Sequence, residues 1–185
     1  MTQTLSRAKL YGYFLIAARV WLAYTLISYG YSKLTGNQFG ITEQEMNMPV
    51  KALNLFRLSW YLADHEPFRS FIGISQVVIG ALLFFRRTSI IGALASIPIW
   101  LNILVWDLSF MGPAAVSFAI RLSGYLLLTA LILYHYRYRV FPMLRLAVQT
   151  DPPPFRYPVW SYLLLPLIGL GVEAFPLLLA YLFRR

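Results

Sequence analysis

The chain has no cysteine among its 185 residues. That excludes disulfides, thiol redox chemistry, cysteine-ligated zinc and iron–sulfur clusters. Histidine is nearly as scarce. His65 and His135 stand alone, with no second ligand at a usable spacing, so neither a metal nor a haem is expected. Charged residues make up 12% of the chain, against about 25% in a soluble domain. Acids are the scarcer sign, with 7 Asp and Glu against 16 Lys and Arg. No phosphate-binding glycine loop, H-E-x-x-H pattern or nucleophile elbow occurs.

What is present is apolar. Hydrophobic residues reach 59% and mean hydropathy is +0.62. Several runs are about 18–22 residues long, enough to cross a hydrocarbon layer of about 30 Å at 1.5 Å per helical residue. The expected fold is all-α and polytopic: a four-helix transmembrane bundle plus an additional C-terminal membrane helix. The expected spans are Tyr11–Ser32, Phe68–Phe85, Ser89–Phe110, Ser117–Tyr134 and Val159–Phe183. They divide the chain into a membrane domain over 1–148, a Pro-rich linker over 149–158 and the added helix over 159–185. A short interfacial helix is expected at about 49–63, with Lys51, Asn54, Arg57 and Tyr61 as its polar stripe. Pro98 should kink the third span. "TDPPPFRYP" reads as a stiff, extended spacer. Arg19 interrupts the first apolar run and no A-x-A site follows it, so no cleavable signal is expected.

The net charge of +9 sits at the ends of apolar runs, where topology determinants sit, and is no nucleic-acid signal. With the N-terminus inside, the inner flanks carry Arg7, Lys9, Arg86, Arg87, Arg137, Arg139, Arg145 and Arg156. The outer flanks carry Lys33, Lys51, Arg57 and Arg69, balanced by Glu43, Glu45, Asp64 and Glu66. An integral protein of a bacterial inner membrane with a cytoplasmic N-terminus is expected. Arg184 and Arg185 resist this orientation if the fifth segment crosses. Its "GLG" and two prolines leave a broken or re-entrant helix as the alternative.

Ionisable side chains cost about 2.5–3.5 kcal/mol at the centre of a bilayer, so they usually face inward and pair. Two layers emerge from their depth. Lys33, Asn102, Asp107 and Arg121 form an outer polar layer, and Arg19, Gln76 and Glu173 a middle one. Helical spacing gives inward stripes: Arg19, Ala23, Leu26, Gly30 and Lys33 on the first span; Gly73, Gln76 and Gly80 on the second; Gly92 and Ser96 on the third; Ser117, Arg121, Gly124 and Leu128 on the fourth. Asp64, His65 and Glu66 read as a solvated loop.

Three stretches resemble the DoxX-like family of small membrane proteins: "RVWLAYTLISYGYSKL", "FRLSWYLADHEPF" and "FIGISQVVIGALLFFRRTSIIGAL". The resemblance covers roughly residues 10–140 and omits the linker and fifth span. It implies a four-helix membrane bundle. It also implies association with membrane redox complexes, some of them quinone-reducing, or a role as accessory subunit. One departure stands out. Related sequences commonly carry an acid in the second helix, where this chain has Gln76. Glu173 is then the expected replacement counter-ion for Arg19.

Each polar group has a structural and a functional reading. Arg19 with Glu173 is a structural pair first, and part of a ligand or proton site second. Asp107 with Arg121 is a salt bridge first, and a site for an anionic or quinone head group second. Lys33 is first a snorkelling interface lysine. Three functions follow in order: a binding or accessory subunit holding a lipid or quinone; a redox subunit, which needs a cofactor-bearing partner because this chain has no electron carrier; and a transporter or proton path, for which inner-half polar residues are missing. Catalysis by the chain alone is not expected. The expected partners are membrane lipids and either a neighbouring subunit docked on 159–185 or a second copy of the chain.

Overall fold

The computed structural model describes residues 6–149 and 157–183, and every regular element in them is helical. Helix α1 (Arg7–Leu34) starts where the Ser6 hydroxyl accepts the Lys9 backbone N–H. This satisfies one of the orphan donors of the first turn. Helix α2 (Glu43–Met46) is a single turn held by a reciprocal capping box between Thr42 and Glu45. A 3₁₀ turn at Val50–Ala52 precedes α3 (Leu55–Ala63). The interfacial helix expected over 49–63 is therefore shorter. Leu53 is extended, and Asn54 starts the helix afresh by accepting the Arg57 N–H at 2.8 Å. Lys51 and Asn54 lie before the helix and do not share its face with Arg57.

Helix α4 (Phe68–Phe84) leaves α3 at an angle of 84°. Helix α5 (Ser89–Phe110) has the bounds expected of the third span, with Pro98 inside it. The turn into α6 (Ala115–His135) passes through Gly112 at φ 55°, a left-handed conformation that costs glycine little. Helix α7 (Arg137–Val148) is the basic, aromatic segment.

The chain divides into two units, residues 1–145 and 146–185. In the first, α1 packs on α4, α4 on α5, α5 on α6 and α6 back on α1. The α1–α4 and α4–α5 seams are glycine-dependent. A Cβ on Gly80 would meet the Ala23 carbonyl oxygen at 2.9 Å, and one on Gly92 would run into the backbone of Leu83. Small residues let helix backbones approach where lipid supplies no hydrophobic drive. The stripes expected on α1, α4 and α5 are buried, Arg19 only partly. The fourth stripe is not: Ser117 and Arg121 are exposed, and Leu122, Tyr125, Thr129 and Ile132 form the packed face instead. Large side chains here outweigh the small-residue pattern.

The middle of this unit is largely apolar. Leu22, Leu26, Leu83, Trp100 and Leu122 are fully buried. The buried hydroxyls of Ser96 and Thr129 donate to their own helices, to Ala93 and Tyr125 carbonyls, each at 2.8 Å.

The second unit holds α8 (Val159–Tyr162) and α9 (Leu165–Leu182). The expected single helix over Val159–Phe183 breaks at Leu163 and Leu164. Pro166 has no N–H to give the Tyr162 carbonyl, so the helix restarts there. Helix α9 is apolar, and its described side chains, Glu173 among them, are exposed. The triple proline of the linker, Arg156 and the Arg184–Arg185 pair lie outside the described residues.

Four helical segments are long and apolar enough to cross a membrane: Arg7–Leu34, Ser89–Phe110, Gly112–His135 and Val159–Leu182. This marks a membrane protein. The expected second span does not reach that length by itself. Its 17 residues cover about 26 Å at 1.5 Å each, and only together with α3 does it become a candidate, as a bent pair.

Candidate functional site

The C-terminal end of α1, the N-terminal end of α4 and the C-terminal half of α5 enclose a cavity of about 480 Å³. Three residues of the expected outer layer line it: Lys33, Asn102 and Asp107. So does Gln76, assigned by sequence to the middle layer. The rest of the wall is largely aromatic, with Phe39, Trp60, Phe68, Phe71 and Trp106. Phe68, Phe71 and Pro98 are exposed on their outer sides, so the cavity opens sideways toward the surroundings of the helices.

Its polar groups are few and incompletely used. Gln76 is 1% exposed, and its buried Oε1 has no hydrogen-bond donor among the described residues. A buried amide oxygen without a partner costs about 1–3 kcal/mol. Lys33 is 5% exposed. Its Nζ donates to Gln38 Oε1 at 2.9 Å and lies 5.2 Å from the Phe39 ring centroid and 5.4 Å from that of Tyr29. Asp107 is 6% exposed and feels the charges of Arg121 and Lys33. Among the described residues, no cation comes within 4.0 Å of its carboxylate. The direct Asp107–Arg121 salt bridge read from sequence is therefore absent. Arg121 is exposed and lies outside the cavity wall, with its guanidinium over Phe118 at 4.8 Å and Tyr29 at 6.0 Å.

Helix α3 roofs this end. Ser59 and Ala63 are its buried face, and Trp60 and Ala63 reach the cavity. Two ion-pair clusters hold the roof. Arg57 grips Glu45 through two bonds of 2.7 Å, and Arg69 binds Asp64 at 3.0 Å and Glu66 at 2.9 Å. The stretch expected to be a solvated loop is a turn with His65 and Glu66 exposed, and its acids also anchor the α3–α4 bend. Arg57, with help from the Thr42 backbone, pulls the Glu45 carboxyl down to about 2. Hydrogen bonds from Ser70 and Arg69 lower that of Glu66.

Arg19 belongs elsewhere. It lines a separate cavity of about 270 Å³ with Arg86, His135 and Tyr136, at the opposite end of the unit. The reason is geometric. Helices α1 and α4 are antiparallel and offset, since Gly30 meets Gly73 and Ala23 meets Gly80. That register sets Gln76 level with the turn after Leu26, about 12 Å along the axis from Arg19. Side chains that lean toward the N-terminus of their own helix widen the gap. Sequence reasoning also missed Gln38 and Phe39, which come from a connector with no helical periodicity to reveal them, and it put Trp60 on the apolar side of the interfacial helix without assigning it to the site. Among the described residues, no group of three His, Asp or Glu side chains is placed to hold a metal ion.

No family model matches the chain, and no solved structure matches it. The chain is similar to the "Uncharacterized protein YwoB" of Bacillus subtilis (strain 168), at 29% identity over 93 residues. The match covers 50% of this chain and 59% of that protein, so the chain spans less than two thirds of its relative's length.

Proposed function

We propose that the protein is an integral membrane binding subunit of DoxX-like type. In this reading α1, α4, α5 and α6 form a membrane-embedded four-helix bundle, and residues 159–182 add a further membrane helix for a neighbouring subunit. The same reading takes the basic flanks as cytoplasmic, with the N-terminus inside a bacterial cell and the Lys33 cavity toward the outer face. That cavity takes the polar head of a membrane-dissolved ligand, a quinone or lipid, entering sideways past Phe68 and Phe71.

The observation that carries this reading is the unpartnered Gln76 oxygen inside an aromatic-walled cavity that also holds Lys33, Asn102 and Asp107. Ligand sites are mostly apolar, with a few convergent polar groups that fix orientation. A quinone offers two carbonyl acceptors for Lys33 and Asn102. A hydroxyl, from a reduced quinone or a lipid head group, offers a donor to Gln76 and Asp107.

Two other readings fare less well. A redox subunit would need a partner to bring the electron carrier. A proton path would need polar groups through the layer of Leu22, Leu26, Leu83 and Leu122, which is apolar and fully buried.

The test is native mass spectrometry of the protein extracted gently from its own membrane. A stoichiometric quinone or single lipid species, lost in Gln76→Leu, supports the proposal. Random bulk lipid that is the same in both proteins sinks it.

A further inference from the structure

The charge of the first unit is divided unevenly between its two ends. The segments meeting at the Lys33 end carry five acids (Glu43, Glu45, Asp64, Glu66, Asp107) and five bases (Lys33, Lys51, Arg57, Arg69, Arg121). The other half carries Arg7, Lys9, Arg19, Arg86, Arg87, Arg137, Arg139 and Arg145, with no acid at all. The cavity of about 270 Å³ lies in that half.

Its construction fits an anion with an apolar tail. Arg19 comes from α1, Arg86 from the α4–α5 turn and His135 from the end of α6. The Nε of Arg19 is buried without a hydrogen-bond acceptor. Among the described residues, neither Arg19 nor Arg86 makes an ion pair or a side-chain hydrogen bond. A buried Nε–H without an acceptor is costly, and an anion held between the half-buried Arg19 and the exposed Arg86 would satisfy it. The remaining wall includes Leu15, Ile16 and Ile132, and Ile16 is 53% exposed. An acyl chain could therefore leave the cavity along α1. A second basic cleft, lined by Arg86, Arg87 and Arg139, adjoins it through the shared Arg86 and Tyr136.

We propose that Arg19, Arg86 and His135 bind the phosphoryl group of an anionic membrane lipid, seated between α1, α6 and the α4–α5 turn. The site is separate from the Lys33 cavity and does not depend on what that cavity holds. Arg19 and Arg86 take the phosphoryl oxygens bidentately. His135 supplies a further donor. The apolar wall carries the start of the acyl chain.

The experiment is native mass spectrometry of the full-length protein in micelles with added phosphatidylglycerol, phosphatidylcholine or inorganic phosphate. The expected result is one retained phosphatidylglycerol, at least about tenfold preferred over phosphatidylcholine, whose choline the basic surroundings repel. Millimolar phosphate should not displace it. Arg19→Gln and Arg86→Gln should each cut retention about tenfold or more, the loss of one charge-assisted contact. Gly12 lines the cavity with nothing within 4 Å of an added Cβ, so Gly12→Leu blocks the space without disturbing a packed seam. It should lose the lipid while keeping its melting temperature, which covers the case of an Arg19 variant that fails to fold. Glu173→Gln should retain lipid as the parent does. A rise in retention would mean that its carboxylate occupies the site, and would overturn the proposal. Equal retention of the two lipids would also overturn it, as would displacement by phosphate or undiminished binding in Gly12→Leu.

Discussion

Gly30 on α1 and Gly73 on α4 meet with no side chain between them. A Cβ added to Gly30 would lie 2.5 Å from the Gly73 carbonyl oxygen, and one on Gly73 would lie 2.7 Å from Leu34. Backbone cannot yield as a flexible side chain can. Gly30→Ala should cost about 1–3 kcal/mol through overpacking and lower the melting temperature in micelles. Gly124→Ala is the control, since a Cβ there meets nothing within 4 Å and alanine is the better helix former. Equal melting temperatures for Gly30→Ala and the parent would show that this seam is not close-packed.

Gln76 should separate stability from binding. Replacing its amide with a leucine side chain removes a buried acceptor that has no donor, so the ligand-free protein should gain about 1 kcal/mol or lose nothing. Ligand retention should fall in the same variant. Thermal melts with and without a short-tailed quinone read both effects. A variant that is destabilised yet still shifts with ligand would argue for a structural glutamine.

The Glu45–Arg57 pair sets an acid limit on the roof. The folded carboxyl is depressed to about 2, against about 4.3 for an unpaired glutamate. The stability it contributes is therefore complete above about pH 4–5 and disappears as pH falls toward about 2. The Arg57 Nε–H resonance should keep its position down to about pH 4 and move below it. Glu45→Gln should abolish that movement. A transition centred near pH 5 would mean that the two side chains are not engaged.

The absence of cysteine makes the chain a clean background for topology mapping. With the N-terminus inside, Asn47→Cys should react with an impermeant maleimide in intact cells, and Arg87→Cys only after permeabilisation. The reverse pattern would invert the orientation and place the Lys33 cavity on the cytoplasmic side.

Much of the helix order was legible because apolar runs and their breakers are local signals. The α5 bounds matched, and the α1 and α4 faces followed from glycines at helical spacing. The Lys33, Asn102 and Asp107 grouping was also legible, because Lys33 ends α1 and the other two lie in the C-terminal half of α5, on the same side of the unit. Depth failed for Arg19 and Gln76, since the middles of the two apolar runs were taken as level, while the glycine pairing offsets α4 along α1. Arg121 was misplaced for a different reason. Its stripe was drawn through Gly124, while the face that packs is set by Leu122 and Tyr125. The Asn54 cap was readable in principle, because Asn before an apolar run is a start signal. The Gln38 contact to Lys33 was not, since it depends on the path of an irregular connector.

The apolar layer has an electrical consequence. On every helix of the ring, buried residues separate the two polar cavities: Leu22 and Leu26 on α1, Leu83 on α4, Ala93 on α5, and Leu122 and Tyr125 on α6. In a bilayer, water entering either cavity would carry the potential of its own side inward, and the voltage would then drop mostly across this thin insulating slab. Moving one charge through the full drop is worth about 2.3 kcal/mol per 100 mV. A charged group seated in either cavity would cross little of that field. Occupancy of both cavities should therefore be nearly indifferent to the energised state of the membrane.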